Sequence, residues 1–319
     1  MPFLQILSPG FLTTIQDAGR FGFAHLGVSP AGAADMLAFR VGNMLVSNAE
    51  NSSALEMTLV GGTFVFACSS FIALTGADCD ATLDEQEVPS WRALPVRSGQ
   101  TLQCRATKNG ARTYLCIHGG IEVTPIMSSA ATHLQTGIGG LQGRALKKGD
   151  ALAIAPLPAN SPLLPRRARA EVHGYLHEKN LLRVTLGPQA DFFSKETLRK
   201  FYSTPYLVTE SSNRAGLRLK GEPLARSHNG EMITEGVSLG AVQVTHEGQP
   251  IILFVEHPTT GGYPKIANVI SADLPRVGQL RPRDEVRFQL VEFEAARDLY
   301  LQQQELLTQN NYCQNYRAD

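Results

Sequence analysis

Glycine and proline interrupt the apolar segments of this chain at short intervals along almost its whole length. The sequence contains 29 glycines and 18 prolines among 319 residues. Long helices need uninterrupted segments, whereas strands of about five or six residues end naturally at glycine and proline turns. This rhythm predicts a mainly β fold, a barrel or a sandwich, with few and short helices.

The clearest predicted strand lies near the C-terminal end. Val286, Phe288 and Leu290 alternate with polar residues, which places the three apolar side chains on one face. Residues 240–245 and 250–255 flank a short connection that contains a glycine, and they predict a β-hairpin. Similar apolar runs predict further strands at 63–67, 71–74, 113–117, 151–155 and 182–186.

Three helices are predicted. Asp35 precedes a segment with apolar residues at helical spacing and is a candidate N-cap. Ser194 is the candidate cap of a second helix, and a polar-rich helix begins at Glu294. These few helices leave the β character of the chain dominant.

The length of the chain favours two structural units over one. Prolines and a basic cluster between 156 and 169 are typical of a linker. We predict a β-rich N-terminal domain at 1–160, a linker at 161–180, and a C-terminal β-barrel domain with a terminal helix at 181–319.

Charge and composition exclude several classes of protein. Lys plus Arg and Asp plus Glu both number 29, so no positive excess favours nucleic acid or an anionic membrane surface as a partner. The first residues have neither a basic start nor a long apolar run, so we expect no signal peptide, no spanning helix and a cytoplasmic location. The five cysteines form no C-x-x-C pair, and we expect reduced thiols and no protein-bound metal.

The densest candidate for chemistry is the segment PTTGGYPK at 258–265. Paired glycines permit positive φ and close approach of a ligand, threonine hydroxyls donate hydrogen bonds, and lysine supplies a cation. A tight turn whose threonines bond their own backbone stays open as the alternative. We predict a substrate- or anion-binding loop formed by Thr259, Thr260, Gly261, Gly262, Tyr263 and Lys265.

Two N-terminal segments, 13–20 and 27–35, contain the candidate catalytic residues Asp17, Arg20 and Asp35. Asp17 and Arg20 could pair, and Asp35 could act as an acid or base. A structural ion pair and a helix cap are the alternatives. We expect these three residues to line the same cleft as the predicted loop, or an interface with a partner chain.

A glycine-rich segment at 137–150 superficially resembles a phosphate-binding loop. It lacks the G-x-x-x-x-G-K-[ST] pattern, and no dinucleotide fingerprint can be placed on the chain. The sequence therefore predicts no self-contained nucleotide site.

Eight segments in this order carry a resemblance to a known family: TTIQDAGR (13–20), GVSPAGAAD (27–35), GNMLVSN (42–48), LEMTLVGG (55–62), GIGGLQGRALKKGD (137–150), TLGPQADFF (185–193), SSNRAGLRLKG (211–221) and PTTGGYPKIANVISADLPRVGQLRP (258–282). The chain resembles the family formed by the C subunits of bacterial 5-oxoprolinase. This family is also described as allophanate hydrolase subunit 2, as the antagonist of a kinase inhibitor, and as biotin-dependent carboxyltransferase.

The resemblance implies two cyclophilin-like β-barrel domains with few short helices. It also implies ATP-dependent hydrolysis of 5-oxo-L-proline to L-glutamate, with Mg-bound ATP as co-substrate. The implied partners are the two other 5-oxoprolinase subunits: the A subunit, which binds the lactam, and the B subunit, which resembles the kinase-inhibitor protein. Without these partners the chain is expected to be inactive.

The chain departs from the family's pattern at 127–132. It reads MSSAAT where the family commonly reads like M-G-S-R-S-T, so Ser128 replaces a glycine and Ala130 replaces an arginine. An arginine there would suit an anionic substrate.

Two other functions stay open. The chain could be the carboxyltransferase component of a urea carboxylase or allophanate-type system, with biotin carried on a partner chain because this sequence has no Met-Lys pair. It could instead be a regulatory protein that sequesters an inhibitor of a histidine kinase, in which case the loop ending at Lys265 would be an interface.

Overall fold

The computed structural model describes residues 2–155, 166–227, 232–308 and 312–315. The chain divides into two compact units. Unit 1 takes the chain up to Arg20, Ala31–His177 and the chain from Leu306 onward, whereas unit 2 takes Phe21–Pro30 and Glu178–Glu305.

The prediction of a mainly β fold is confirmed, because strands outnumber helices in both units. The strands of unit 1 are β1 Phe3–Ser8, β2 Leu12–Gln16, β3 Ala54–Thr58, β4 Thr63–Phe66, β5 Ser70–Gly76, β6 Thr82–Leu83, β7 Gln86–Glu87, β8 Ala93–Val96, β9 Thr101–Gln103, β10 Arg112–Ile117, β11 Ala151–Ala153, β12 Arg166–Ala168 and, near the end of the chain, β22 Cys313–Asn315. The strands of unit 2 are β13 Leu181–Leu186, β14 Tyr206–Val208, β15 Gly216–Lys220, β16 Glu235–Gly236, β17 Ala241–Val244, β18 Pro250–Leu253, β19 Thr260–Gly261, β20 Lys265–Val269 and β21 Glu285–Leu290.

The helices are short, as predicted. The α-helices are α1 Met36–Leu45, α2 Ala170–His173, α3 Lys195–Ser203, α4 Leu274–Gln279 and α5 Phe293–Leu306, and the 3-10 helices are Ala24–Leu26, Gly174–Glu178, Ala190–Phe192 and Ser271–Asp273. Both predicted caps are confirmed: Asp35 accepts from the N–H of Ala38 at 3.0 Å, and Ser194 accepts from the N–H of Thr197 at 3.1 Å.

Two larger sheets form unit 1. A six-stranded sheet has the order β11-β1-β4-β9-β6-β7, and a five-stranded sheet has the order β2-β3-β10-β5-β8. One core cluster contains apolar side chains from both, such as Phe64 from the first and Leu115 from the second. This arrangement is typical of a sandwich, in which inner faces supply a shared core.

The packing of β10 explains why its sequence does not alternate between apolar and polar residues. Successive side chains of a strand point to opposite faces. Leu115 and Ile117 join the cluster shared by the two sheets, whereas Tyr114 and Cys116 join a second cluster with residues of α1. The strand is buried on both faces because α1 covers the outer one.

Unit 2 is built on a closed barrel with the strand order β13-β20-β17-β18-β15-β14-β21. The predicted hairpin is confirmed, since β17 and β18 pair antiparallel. Barrel closure comes from a parallel pairing of β13 with β21. In β21, Val286 and Phe288 are buried as predicted, but Leu290 at the strand end is 40% exposed.

The chain enters unit 2 first between Arg20 and Phe21 and again between His177 and Glu178, and the second passage lies within the predicted linker 161–180. Residues 156–165, which contain the prolines behind that prediction, lie outside the described residues. The described part of the linker forms β12 and α2, and β12 pairs antiparallel with β22. None of the helices in the described residues combines the length and apolar character that crossing a membrane requires.

Candidate functional site

Asp17 lies immediately after β2 in unit 1, and its carboxylate binds the loop that follows Met127. One oxygen accepts from the Gly19 N–H at 2.8 Å and from the Ser129 hydroxyl at 2.7 Å, and the other accepts from the Ala130 N–H at 2.6 Å. The hydrogen bonds from Ser129 and Ala130 fix the loop against the end of β2. The position of the Asp17 carboxylate is therefore determined by hydrogen bonds within unit 1.

Arg20 is fully buried and contacts the same loop. Its Nη2 atom donates to the Ala131 carbonyl. Gly139 makes room for this contact: a Cβ there would lie 1.9 Å from the Ala131 oxygen and 2.6 Å from the Arg20 Nη2 atom. The structure thus brings Asp17 and Arg20 together on one loop, and it explains one glycine of the 137–150 segment by close packing.

Asp35 belongs to a different buried network in unit 1. Its Oδ1 atom caps α1, and its Oδ2 atom accepts from the Tyr175 hydroxyl. Its backbone N–H donates to the Tyr114 hydroxyl at 2.8 Å, and that hydroxyl donates to Glu56 at 2.7 Å. Arg112 lies 3.5 Å from the other Glu56 oxygen.

Burial dominates the electrostatics of this network. Burial and the neighbouring carboxylates Glu56 and Asp35 raise the pKa of Tyr114 well above its usual range. Burial and the Asp35 carboxylate likewise raise the pKa of Tyr175. Both phenols therefore stay protonated and donate to carboxylates. The predicted role of Asp35 as a cap is confirmed, and its role as a catalytic acid or base stays a prediction.

The predicted ligand loop, Thr259 to Lys265, lies in unit 2 between β18 and β20. Its strand β19 pairs with β16, so that Gly261 lies opposite Glu235. Thr260 and Gly262 are exposed, whereas Lys265 is buried at the start of β20. Neither glycine has the positive φ that the sequence suggests. A Cβ at Gly261 would lie 2.5 Å from Nε2 of Gln243, so a larger residue there would displace the end of the Gln243 side chain.

Lys265 is at the centre of a polar cluster at this end of the barrel. Its ammonium forms an ion pair with Glu235. Gln189 Nε2 donates to the same Glu235 oxygen at 2.8 Å, and Gln189 Oε1 accepts from the Lys265 N–H at 3.2 Å. The hydrogen bond with Lys265 lowers the pKa of Glu235, so this carboxyl stays ionised.

Gln243 completes the cluster from a third barrel strand. It pairs with Lys265 across β17 and β20, and a register shift precedes it. Residues directly opposite in an antiparallel pair share a face, so the two side chains are neighbours. The Gln243 amide donates to the Tyr263 carbonyl at 3.4 Å and is 4% exposed. Irregular pairing of this kind is frequent next to binding sites.

A second ionic contact precedes the loop. Arg214 and Glu256 form a buried pair at 2.5 Å, with exposed side-chain fractions of 5% and 2%. The adjacent His257 is buried, and its Nδ1 atom lies 2.7 Å from the Pro258 carbonyl oxygen. Because a carbonyl oxygen can only accept, Nδ1 must carry the proton.

Residues 236–240 have the G-x-S-x-G spacing of a hydrolase nucleophile elbow. That motif requires a turn from a strand into a helix. Here it leads into strand β17, and the Ser238 hydroxyl donates to Asn268 Oδ1 at 3.4 Å. The spacing therefore has no catalytic context.

Comparison with known proteins identifies the family. A model of the carboxyltransferase domain, subdomain A and B, matches residues 26–290. The chain belongs to the carboxyltransferase domain family. Its match covers both units and includes Gln189, Gln243 and Lys265.

Two relatives match this chain over more than nine tenths of their own length. The C subunit of the 5-oxoprolinase of Escherichia coli strain K12 is 41% identical over 296 residues, which cover 92% of this chain and 93% of the relative. The protein of the same name from Haemophilus influenzae is 36% identical over 93% of this chain and 94% of its own.

Fungal relatives contain the carboxyltransferase domain as one part of a longer chain. The urea carboxylase of Kluyveromyces lactis superposes with a TM-score of 0.90 at 31% identity, covering 96% of this chain but 29% of that chain. The urea amidolyase of Saccharomyces cerevisiae is 36% identical over 93% of this chain and 17% of its own length.

Several residues of these clusters lie outside the sequence prediction. Gln189 lies in the motif at 185–193 that carries the family resemblance, which is a signal for it. Glu56 likewise lies in the motif at 55–62. Glu235, Gln243 and Tyr175 have no comparable local signal, because tertiary folding alone brings them to their partners. The two predicted groups of site residues lie in different units.

Proposed function

We propose that this chain is the C subunit of an ATP-dependent 5-oxoprolinase, which hydrolyses 5-oxo-L-proline to L-glutamate. The observation that carries the proposal is the extent of the match with the E. coli relative, at 41% identity over 92% of this chain and 93% of the relative. The urea amidolyase match is comparable over this chain but covers only 17% of that protein. Correspondence over most of the relative's length favours the function named for the E. coli protein over that of the urea amidolyase.

The chemistry of the cluster in unit 2 supports this proposal. 5-Oxoproline carries a carboxylate and a lactam carbonyl, both of which accept hydrogen bonds. Lys265, Gln189 and Gln243 supply an ammonium and two carboxamides at one end of the barrel. Such a set of donors suits an anionic substrate with a carbonyl group.

ATP is the proposed co-substrate, in its Mg-bound form. A five-membered lactam resists hydrolysis, and phosphorylation of its carbonyl oxygen makes the carbon electrophilic and the oxygen a leaving group. The contribution of this chain is positioning and charge stabilisation. The A and B subunits of 5-oxoprolinase are the proposed partners, because the E. coli relative is named as one part of a multi-chain enzyme.

Reconstitution tests the proposal. The chain is purified with its two cognate partners, and ATP-dependent glutamate formation from 5-oxoproline is measured while each chain is omitted in turn. We expect activity with all three chains and none without this one. Turnover that persists without this chain would refute the proposal.

A second candidate function is supported by the family model and by the likeness to urea carboxylase. In it the chain moves a carboxyl group from carboxybiotin to an amide, and biotin arrives on a partner chain. Streptavidin blotting of the native complex decides between the two. A biotinylated partner favours carboxyl transfer, and a biotin-free complex that releases glutamate favours 5-oxoprolinase.

A further inference from the structure

The two side chains of the ion pair between Lys265 and Glu235 differ in their exposure to solvent. The Lys265 side chain is 4% exposed, whereas the Glu235 side chain is 46% exposed. Glu235 comes from the two-residue strand β16, and Lys265 begins a barrel strand. The Lys265 ammonium is thus held on a barrel strand, whereas the Glu235 carboxylate that binds it belongs to a short, more exposed strand.

The orientation of Gln189 is determined by the backbone. Its Oε1 atom accepts from the Lys265 N–H at 3.2 Å, so its Nε2 atom must be the donor on the other side. The Gln189 backbone N–H also donates to the Lys265 carbonyl at 3.2 Å. These two hydrogen bonds hold the carboxamide in place.

Two donors therefore converge on one acceptor position. Lys265 Nζ and Gln189 Nε2 both reach the Oε1 atom of Glu235. An ammonium and a carboxamide that meet at one oxygen form a charge-assisted site for a carboxylate. The occupant in this structure is a carboxylate of the protein itself.

We propose that Lys265 and Gln189 form a carboxylate-binding subsite, in which Glu235 is an internal counter-ion that the substrate carboxylate replaces. This inference rests on the proposed function for the identity of the substrate. Glu235 turns to solvent when the ligand binds. Its side chain is already 46% exposed, so its carboxylate is readily hydrated there while the ligand carboxylate neutralises the buried ammonium. Without a substrate, Glu235 keeps the buried ammonium neutralised.

The proposal is tested by direct binding to the full chain, alone and within its complex, by calorimetry. The probes are 5-oxo-L-proline, its neutral primary amide, and ATP. For Glu235→Gln we expect 5-oxoproline to bind at least about twofold more tightly, because the ligand no longer competes with an internal carboxylate for the buried ammonium. Lys265→Met should weaken binding at least about tenfold and Gln189→Leu about threefold, since a charged hydrogen bond contributes more than a neutral one. Binding of the neutral amide should be the same in all variants.

The matched control is Glu222→Gln. Glu222 forms an ion pair with Lys200 at 2.6 Å and has a similarly exposed side chain, at 54%. This variant should bind 5-oxoproline like the wild type. Circular dichroism and thermal melting establish that each variant is folded.

Three results would overturn the proposal. The first is that Glu235→Gln binds 5-oxoproline unchanged or more weakly, which would make the contact a structural salt bridge. The second is that neither the chain nor the complex binds 5-oxoproline. The third is that the substitutions change ATP binding alone, which would assign the site to a phosphate. Turnover in the reconstituted enzyme is a separate result, so the proposed function can stand while this subsite fails, and the reverse.

Discussion

Ser128 occupies a backbone conformation that favours glycine. Its φ is +61°, and the preceding Met127 has a φ of +51°. A side chain in the left-handed region costs roughly 1–2 kcal/mol, and glycine avoids that cost. A glycine at position 128 would avoid that cost, and this chain has a strained serine there instead.

Replacing this serine by glycine should stabilise the protein. We expect Ser128→Gly to raise the free energy of unfolding by about 0.5 kcal/mol, since relief of strain exceeds the extra entropy of the unfolded chain. Urea unfolding measures the change. Ser128→Ala is the control, because it keeps the Cβ atom and should be close to neutral; equal effects of both substitutions would contradict the explanation.

His257 predicts a pH dependence in unit 2. Burial lowers the pKa of His257 below its ordinary value. As the pH falls through that ordinary value, the unfolded state gains a proton before the folded state does, so stability decreases until the folded pKa is passed. The contribution is fully present above the ordinary histidine pKa.

Substitution of His257 by glutamine should reduce this loss. Between about pH 7.5 and about pH 5.5 we expect the wild type to lose more stability than His257→Gln, since only the wild type has a buried imidazole whose lowered pKa favours protonation of the unfolded state. Urea unfolding at both pH values, followed by far-UV circular dichroism, measures the difference. His25→Gln changes an exposed histidine and should behave like the wild type. Identical pH dependence in His257→Gln and the wild type would exclude His257 as the cause.

At the scale of elements, α1 begins after Asp35, whose carboxylate accepts two hydrogen bonds. Asp35 caps the helix and accepts from Tyr175. We expect Asp35→Ala to cost about 2–4 kcal/mol, because a lost cap costs about 1 kcal/mol and a buried donor without an acceptor about 1–3 kcal/mol. Asp35→Ser keeps a cap and should cost less. A double-mutant cycle with Tyr175→Phe should give a coupling of about 1 kcal/mol, and additive effects would contradict the contact.

The glycine-rich segment offers a matched pair of positions. Gly139 and Gly137 have similar positive φ values of +73° and +67°. A Cβ at Gly139 meets the Ala131 carbonyl at 1.9 Å, whereas at Gly137 it meets nothing within 4 Å. Gly137→Ala should cost about 1–2 kcal/mol from backbone strain alone, and Gly139→Ala at least about 2 kcal/mol more from overpacking. Equal losses in urea unfolding would show that close packing is unimportant there.

At the scale of the whole molecule, the end of the chain belongs to the first unit. Strand β22 pairs with β12, and Leu307 and Tyr312 join the core cluster that contains Trp91. Unit 1 is therefore completed by residues that follow unit 2 in the sequence. Neither the sequence of β12 nor that of β22 predicts by itself that the two strands pair.

Shortening the chain to Glu305 should destabilise unit 1. We expect a loss of at least about 3 kcal/mol, because two large buried side chains and a strand are removed. Trp91 is the single tryptophan and is buried in unit 1, so its fluorescence reports that unit's unfolding. Leu301→Ala, at an exposed position of α5, should change stability by less than about 0.5 kcal/mol. An unchanged Trp91 transition in the shortened chain would contradict the prediction.

Much of the fold follows from local pattern. Alternation in β21 and the hairpin of β17 and β18 were predictable, because side-chain period and turn chemistry act within a few residues. The caps Asp35 and Ser194 were predictable for the same reason. The site is different: Lys265 could be found in its motif, but its partner Glu235 is 30 residues away in sequence.

The sequence by itself determined the β-rich class, the positions of eight strands, two helix caps and, through its ordered motifs, the family. Tertiary structure alone decided that Lys265 meets Glu235 and Gln189, that Asp35 meets Tyr175, and that the last strand completes the first unit. The physical reason is the separation along the chain over which each interaction acts. Periodicity and capping arise between neighbours along the chain, whereas buried charges are paired by whichever segments the fold brings to them.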